Sequence, residues 1–344
     1  MSGIIKDSTL AKVKTELQAR NALIRNFVDL YAQSTWDSIQ LDVKAGLAPS
    51  KYNIGDELIC QYTTGGVTRD FPWVIVDNNR TVVWQDGTEH PGMILQAKFA
   101  TVESIQFDAA EHEAATEATA QEGWYYCGLS GSTYTMLDLA AGATIPYAQY
   151  DAIYKGSINN KVVYQYGYNR YLMSAYRQWL NSDKPKNEWW ESQHNGDTAP
   201  NQLSTNDGFL CGLDADFLAV INPVKVQVAA NTVTDGGVTD VMYDKFWLPS
   251  VEEMYGAPQL AGVEGAYFPY WKTKTGLNAP SNDANNGRII TALESQSSAQ
   301  ACRLRSASRG NSSGAWIVGT TGYLNGYYGG AGVAYRCAPA CAIS

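Results

Sequence analysis

The chain has 344 residues, of which 45% are hydrophobic and 17% charged, a composition typical of folded globular proteins. Its 34 acidic residues outnumber its 25 basic ones, and the net charge of -9 argues against a nucleic-acid partner, because phosphate would be repelled. No apolar run approaches the roughly 18 residues of a membrane span, and none resembles a signal peptide. We therefore expect synthesis in the cytoplasm and no membrane insertion.

The first predicted element is an amphipathic helix within residues 7–32. Its apolar side chains alternate at spacings of three and four, as in a short heptad seam, with one break at Arg20. The apolar positions are Leu10, Val13, Leu17, Ile24, Phe27 and Tyr31. Two interpretations stay open: the helix lies on its own domain, or it joins identical subunits into a homo-oligomer such as a trimer. A second short helix is predicted from Trp36 to Ala45.

A meander of short strands is predicted between Asp56 and Phe99. Runs rich in β-branched and aromatic residues are separated by TTGG, DNN and DGTEHPG, whose composition is typical of turns. The runs are ELICQY, FPWVIV, TVVWQ and GMILQAKF. Residues 108–122 are acidic and lack an apolar face, so we expect a solvated excursion there. It opens a β-rich insertion at about 108–163.

The second half of the chain combines helices with strands. The clearest amphipathic helix runs from Arg170 to Ser182, with Asn169 as its expected N-cap. A shorter helix is predicted before the strand PVKVQVAA, and Ser250 and Glu253 are spaced as a capping box. The tail contains three predicted strands, RLRSA, AWIVG and VAYRCAPACAI. The fold class is therefore α+β, with helices interrupting a mostly antiparallel sheet.

These elements divide the chain into two parts. Residues 1–47 are an N-terminal helical segment whose expected role is oligomerisation. Residues 48–344 are one domain that contains the insertion. We expect its apolar core to include strand residues around Val74 and Val226.

The sequence carries no recognisable catalytic motif, since it lacks GxSxG, a phosphate-binding loop and paired metal-binding histidines. Six thinly spread cysteines indicate buried free thiols, and three histidines outside any zinc motif indicate no metal and no cofactor. Acids near helix starts, such as Asp214, are expected to act as caps. Cys337 and Cys341 are the one pair with a conceivable redox role. On a strand they would lie about 13 Å apart, too far for a disulfide without a bend at Pro339.

The C-terminal region has the most unusual composition. Between Ser306 and Tyr335, 20 of 30 residues are Gly, Tyr, Ser, Asn or Thr, and Arg309 is the one charged residue. Antibody binding loops share this bias, because tyrosine offers broad contact at little entropic cost and small polar residues supply adaptable hydrogen bonds. The composition favours a binding surface. Two other interpretations stay open: a flexible linker, and an ordinary sheet whose glycines make tight turns.

Several segments together resemble one protein family. They are NRYLMSAYRQWLNS, FLAVINPVKV, DKFWLPSVEEMYG, LAGVEGAYFPYWK, and RLRSASRG through AYRCAPACAI. In this order they resemble phage and bacterial proteins related to the formylglycine-generating-enzyme type of C-type lectin-like fold, over most of the chain from about Trp36. Several members look like the variable proteins of diversity-generating retroelements, in which adenine-directed mutagenesis rewrites codons near the 3′ end of the gene.

The resemblance implies a lectin-like domain that displays altered residues near its C-terminus. Mutagenised AAC-type codons never give Lys, Glu, Gln, Met or Trp, and of these only Trp316 occurs after Ala301. The implied ligand-binding positions are Ser308, Asn311, Ser312, Ser313, Ile317, Gly319, Thr320, Tyr323, Leu324, Asn325, Tyr327, Tyr328 and Gly329. The implied scaffold residues are Arg303, Arg305, Trp316, Arg336 and Pro339.

What the resemblance implies for function is a phage receptor-binding or adhesion protein. It would be made in the bacterial cytoplasm, carried on the virion at the tail or surface, and bind a host-cell surface protein or glycan. The EPN, QPD and WND motifs of calcium-dependent lectins do not occur in the sequence, so calcium-mediated sugar binding is not expected. We expect no enzyme activity. Two alternatives stay open: an oxidase of the formylglycine-generating type that uses Cys337 and Cys341 with a bound metal, or a structural virion decoration protein without a ligand.

Overall fold

The computed structural model describes residues 35–110, 167–193, 197–232, 234–255, 263–274, 287–325 and 329–344, together with the backbone of five strands between 117 and 154. Of the first predicted helix it describes Thr15, Glu16 and Arg20, whose backbone is helical and whose side chains are exposed. The remaining positions of that helix lie outside the described residues. The choice between packing on the domain and joining subunits therefore stays a prediction.

The domain opens with two helices and a meander of three strands. They are α1 (Thr35–Lys44), α2 (Ala48–Lys51), β1 (Glu57–Thr64), β2 (Val67–Val83) and β3 (Glu89–Ala97). Helix α1 confirms the second predicted helix and buries Trp36, Ile39 and Val43. Gly46 follows it with a φ of 71°, a left-handed conformation that glycine adopts without steric cost. The predicted meander is confirmed, since β1 pairs with β2 and β2 with β3.

The prediction that DNN forms a turn is wrong. These residues lie inside β2, where the register with β3 shifts between Ile75 and Asp77 and again between Asp77 and Arg80. The Asp77 carboxylate accepts the Asn79 N–H at 3.0 Å and pairs with Arg80 at 2.7 Å. The polar residues therefore form a bulge that bends the strand without ending it.

The chain leaves the sheet through β4 (Ile105–Gln106) and enters the insertion. The predicted solvated excursion is wrong at its start, because Asp108 and Ala109 are only 3% and 4% exposed. The cause is the C-terminal region, where the Ala331 carbonyl accepts the N–H groups of Phe107 and Asp108. The strands of the insertion are β5 (Glu117–Thr119), β6 (Trp124–Ser130), β7 (Thr133–Asp138), β8 (Thr144–Pro146) and β9 (Asp151–Tyr154). β5 pairs with β8, and β6 pairs with both β7 and β9, so the residues of the predicted insertion are rich in β-strands.

The predicted helix at 170–182 is shorter than expected. A 3₁₀ turn over Tyr171–Met173 precedes α3 (Ala175–Leu180), and the extended backbone of Ser174 separates the two. Ser174 is the N-cap of α3, since its hydroxyl accepts the Arg177 N–H at 3.1 Å. The prediction of Asn169 as the cap is wrong.

The next elements include the predicted short helix, the strand PVKVQVAA and the turn behind the capping box, together with a strand and a helix that were not predicted. They are α4 (Ala215–Val220), β10 (Val224–Ala229), β11 (Thr239–Asp244), β12 (Phe246–Trp247), α5 (Val251–Tyr255) and α6 (Pro269–Lys272), after 3₁₀ turns at Asn201–Ser204 and Phe209–Gly212. The capping box is confirmed, because Ser250 Oγ accepts the Glu253 N–H and the Glu253 carboxylate accepts the Ser250 N–H, both at 3.0 Å. Asp214 caps α4 by accepting the Phe217 N–H at 2.7 Å.

The tail contributes short strands to several sheets. They are β13 (Ile290–Thr291), β14 (Ala299–Gln300), β15 (Cys302–Ala307), β16 (Ala315–Val318), β17 (Leu324–Asn325), β18 (Ala334–Tyr335) and β19 (Ala340–Ile343). The prediction of one strand over VAYRCAPACAI is wrong, because β18 pairs with β4 while β19 joins the main sheet, in the order β1-β2-β3-β19-β12. The named strands pair antiparallel, which confirms a mixed helix and antiparallel-sheet architecture.

Aromatic side chains fill the centre of the core. The Trp73 ring lies 5.2 Å from Phe217 and 5.7 Å from Phe246, and Phe209 lies 5.4 Å from Phe246, measured between ring centroids. The predicted core position Val74 is also buried. Among the described residues, no helix has the length and apolar character needed to cross a bilayer.

Candidate functional site

Most of the predicted binding positions lie around one small sheet, β15-β16-β17. The first C-terminal loop, residues 308–314, joins β15 to β16, and the second C-terminal loop, residues 319–323, joins β16 to β17. Because β16 has four residues, the two loops lie about 13 Å apart along the strand. A third piece, the return segment of residues 329–333, leads into β18. The structure thus places seven of the predicted positions in two loops at opposite ends of a short strand, and others in β16, β17 and the return segment.

Asn169 holds the first C-terminal loop. Its side chain is fully buried, and Nδ2 donates to the carbonyl oxygens of Ser308 at 3.3 Å, Asn311 at 2.9 Å and Gly314 at 2.8 Å. Its Oδ1 accepts from Asn231 Nδ2 at 2.9 Å, which fixes the orientation of the amide. One buried amide therefore sets the path of the loop backbone.

Arg303 connects β16 with the return segment. Its guanidinium is fully buried, with Nη1 donating to the carbonyls of Ala315 at 3.0 Å and Gly329 at 2.6 Å. Nη2 donates to the carbonyls of Gly330 at 2.8 Å and Val333 at 2.9 Å. The planar donor fork of arginine suits this task, since it satisfies four carbonyls that diverge from one point.

The charge of Arg303 faces aromatic rings instead of a carboxylate. The centroid of Tyr335 lies 4.6 Å from the guanidinium carbon and that of Phe107 lies 5.6 Å from it, which stabilises the cation. Burial lowers the pKa of Arg303 to about 10, partly offset by Tyr335. The side chain therefore stays charged at neutral pH.

A third buried side chain, Arg288, reaches the second C-terminal loop. Its Nε donates to the Gly322 carbonyl at 3.2 Å, and its guanidinium carbon lies 5.3 Å from the Tyr255 ring centroid. Gly322 has a φ of 79°, and its N–H donates to the Gly319 carbonyl at 2.8 Å to close the turn. We call Asn169, Arg303 and Arg288 the three anchors. Each contacts the loops or the return segment through backbone carbonyls, which every residue type supplies.

The predicted binding positions differ in exposure. Those at least partly exposed are Ser308, Asn311, Ser313, Gly319, Thr320, Tyr323 and Asn325, and those buried are Ser312, Ile317, Leu324 and Gly329. Tyr327 and Tyr328 lie outside the described residues. The implied ligand-binding positions Ile317 and Leu324 are only 6% and 1% exposed, so their side chains are not available to a ligand in this structure.

Two further positions are restricted by local geometry. A Cβ on Gly329 would lie 1.9 Å from the Ala315 carbonyl oxygen, so this position admits only glycine without a backbone shift. The side-chain oxygen of Asn311 accepts the Gly314 N–H at 2.6 Å and shapes the first loop from within. By contrast, the nearest atom to a Cβ on Gly319 would lie 3.5 Å away, an ordinary contact.

Sequence reasoning missed the anchors Asn169 and Arg288. The sequence around Asn169 predicts a different role, because an asparagine directly before an amphipathic segment is typical of a helix N-cap. The implied scaffold role of Arg303 and Arg305 agrees with their burial, at 0% and 1% exposed. An apolar residue not predicted as a surface position, Val333, is 48% exposed on the return segment.

Beneath β15 lies a second polar cluster. Arg305 pairs with Glu253 through contacts of 2.6 and 3.0 Å and also donates to the Glu264 carbonyl. The Glu264 carboxyl accepts from Ser306 Oγ and from the Ala229 N–H. Burial raises the pKa of Glu264 to about 7, although Arg305 opposes this shift. The cluster ties β15 to α5 and is closed to solvent.

The two cysteines considered for redox chemistry are sealed in the core. Cys337 and Cys341 are free thiols with no exposed surface, and burial raises the pKa of Cys337 to about 12 and that of Cys341 well above its ordinary value. Among the described cysteines only Cys211 is exposed. Within the described ranges, no three His, Cys, Asp or Glu side chains are grouped so that they could hold a metal ion.

The same region falls within a known protein family. Residues 150–344, more than half of the chain, match the family described as a domain of unknown function, DUF6273. The chain belongs to the DUF6273 family. No curated protein and no solved structure matches it. The DUF6273 match includes both C-terminal loops, the return segment and all three anchors, whereas β1 to β3 of the main sheet precede it.

Proposed function

We propose that this protein is a phage-encoded receptor-binding or adhesion protein whose C-terminal loops form an exchangeable binding surface. The observation that carries the proposal is the anchoring of these loops. Asn169, Arg288 and Arg303 contact their backbone carbonyls, so replacing an exposed loop side chain leaves the anchoring hydrogen bonds in place. Such a surface can change its ligand without losing its fold.

The chemistry of the exposed positions supports a contact role. Ser308, Ser313, Thr320 and Tyr323 are small hydroxyl residues and one tyrosine, which suit adaptable hydrogen bonding around an aromatic contact. The two loops lie about 13 Å apart. One ligand could contact both, because each partner in a standard interface contributes roughly 800 Å² of surface. We propose a host-cell surface protein or glycan as the ligand. Binding by several copies on a virion would raise a weak single contact to a useful avidity.

The proposed fold is the C-type lectin-like fold of the formylglycine-generating-enzyme type, used here as a rigid frame. The mixed helix and antiparallel-sheet architecture is compatible with it. The proposed assembly is a homo-oligomer joined through the N-terminal segment, which sedimentation of the full chain and of a chain lacking residues 1–33 would test.

The test of the binding role is a triple variant, Tyr323→Ala, Tyr327→Ala and Tyr328→Ala, assayed on whole host cells. We expect binding to be lost while the melting temperature stays within a few degrees of the wild type. The matched control replaces exposed apolar residues on the β1–β2 hairpin, Ile59→Ala and Val67→Ala, and should bind normally. Unchanged binding by the tyrosine variant would place the site elsewhere.

Gene context supplies an independent test of exchangeability. We expect a neighbouring reverse-transcriptase gene and a near-copy of the 3′ coding segment that differs at adenines. A gene without either would favour a fixed binder or a structural decoration protein over a variable one.

The alternative of an oxidase has less support in the structure. Its two thiols, Cys337 and Cys341, are buried, and a thiolate, the reactive form, is disfavoured there. Labelling the native protein with iodoacetamide at neutral pH should modify Cys211 and leave the other two unmodified until the chain unfolds. Rapid labelling of Cys337 or Cys341 in the native protein would instead support the oxidase alternative.

A further inference from the structure

A cavity of about 170 Å³ lies where α6 packs on the main sheet, and no residue of the two C-terminal loops lines it. It is lined by Val74 and Ala97 of the sheet and by Tyr270 and Trp271 of α6. Ile289, which is 37% exposed, also lines it. A cavity of about 150 Å³ is large enough for benzene, so this one has room for a single six-membered ring with a small substituent.

One polar group is built into the cavity. Gln96 is only 2% exposed, and its Oε1 accepts from Trp271 Nε1 at 2.9 Å, which fixes the amide in place. Its Nε2 makes one long contact, 3.4 Å, with the Ala338 carbonyl. The second N–H of this amide has no hydrogen-bond partner in the described part of the chain. A buried donor of this kind favours a ligand with an acceptor atom.

The charged residue that lines the cavity is a lysine. Lys98 lines it, and Lys274 Nζ lies 4.2 Å from the Tyr270 ring centroid. Every lining residue is a described one, and none of them is acidic. Lys98 pairs with Glu57 at 2.7 Å, but both side chains are 41% exposed, so water competes with this pair. An anionic group at the mouth can therefore share Lys98 at little cost.

Two polar side chains line the cavity: Gln96 near the end of β3 and Lys98 just after it. Gln96 offers a buried N–H donor, and Lys98 offers a partly exposed positive charge. We propose that this cavity binds a planar monocyclic aromatic carboxylate, with its carboxylate at Lys98, its ring against Tyr270 and Trp271, and an acceptor atom at Gln96.

The test uses the full chain and four small probes: benzoate, 4-hydroxybenzoate, toluene and benzylamine. Binding is followed through the indole N–H signal of Trp271, assigned by comparison with Trp271→Phe, and by saturation transfer to the probe. We expect benzoate and 4-hydroxybenzoate to shift this signal, 4-hydroxybenzoate more tightly, and protonated benzylamine not to bind. An unchanged Trp271 signal at millimolar benzoate, or equal affinity for benzylamine, would overturn the proposal.

The matched variants are Lys98→Met and Lys51→Met, because each removes an exposed lysine that pairs with an acid. Lys98→Met should weaken benzoate binding about threefold to tenfold and leave toluene binding unchanged, whereas Lys51→Met should change neither. Equal effects of the two variants on benzoate would contradict the assignment of Lys98. These results do not depend on host-cell binding, so this proposal and the receptor-binding proposal can fail separately.

Discussion

Replacing Arg303 with methionine tests the anchoring of the loops most sharply. The change removes four hydrogen bonds from the guanidinium but keeps a side chain of similar length. The carbonyls of Gly329 and Gly330 also accept the N–H groups of Ala315 and Val333, so at most two of the four lose their only donor. At about 1–3 kcal/mol for each orphaned buried carbonyl, the ceiling is about 6 kcal/mol.

Part of that loss is offset, because methionine removes a buried charge that pairs with no carboxylate of the described residues. We therefore expect Arg303→Met to lower the free energy of unfolding by about 2–4 kcal/mol, measured by urea denaturation. Hydrogen exchange should accelerate in the return segment, residues 329–333, and be unchanged in β1. The control is Arg309→Met, which removes a partly exposed arginine from the first loop and should cost less than about 0.5 kcal/mol. Equal losses for the two variants would refute the anchoring role.

Three further predictions rest on the same region. Gly329→Ala should destabilise the fold by more than about 2 kcal/mol, since its Cβ would lie 1.9 Å from a carbonyl oxygen. Gly319→Ala should cost less than about 1 kcal/mol, and thermal unfolding of the two variants measures both values. Asn169→Ala should speed hydrogen exchange throughout the first C-terminal loop, whereas Ser174→Ala should cost about 1 kcal/mol and leave that loop unchanged. Glu264, whose pKa rises from 4.5 to about 7 on burial, favours the folded state below pH 4.5, and that stabilisation is lost as the pH rises towards 7. Glu264→Gln should therefore gain up to about 3 kcal/mol relative to the wild type between pH 4.5 and 7.5, and a pH-independent difference would contradict the shift.

Much of the fold could be predicted from local patterns. The capping box at Ser250 and Glu253, the meander and α1 all depend on residues close in sequence, and each is confirmed. The errors arise where contacts between residues far apart in sequence determine the local structure. DNN has the composition of a turn, yet the pairing of β2 with β3 carries the strand through it as a bulge. Asn169 has the appearance of a cap, yet its amide contacts a loop about 140 residues later in the chain.

The candidate site could be predicted in composition but not in geometry. A bias towards glycine, tyrosine and serine identifies the region, and the same bias cannot separate exposed positions from buried ones. Leu324 and Ile317 lie on the paired strands β17 and β16, and both side chains are buried. The buried anchor Arg288 lies far from its loop in sequence, and an arginine alone does not indicate a backbone contact.

The central claim is that the exposed loop side chains can be exchanged without loss of the fold. The most direct measurement is the melting temperature of one variant that carries Ser308→Tyr, Ser313→Tyr, Thr320→Asn and Tyr323→Ser. Because surface changes usually cost at most about 0.5 kcal/mol each, we predict a melting temperature within about 5 °C of the wild type. A fall as large as that of Arg303→Met would contradict the account, because it would mean that these side chains hold the fold together.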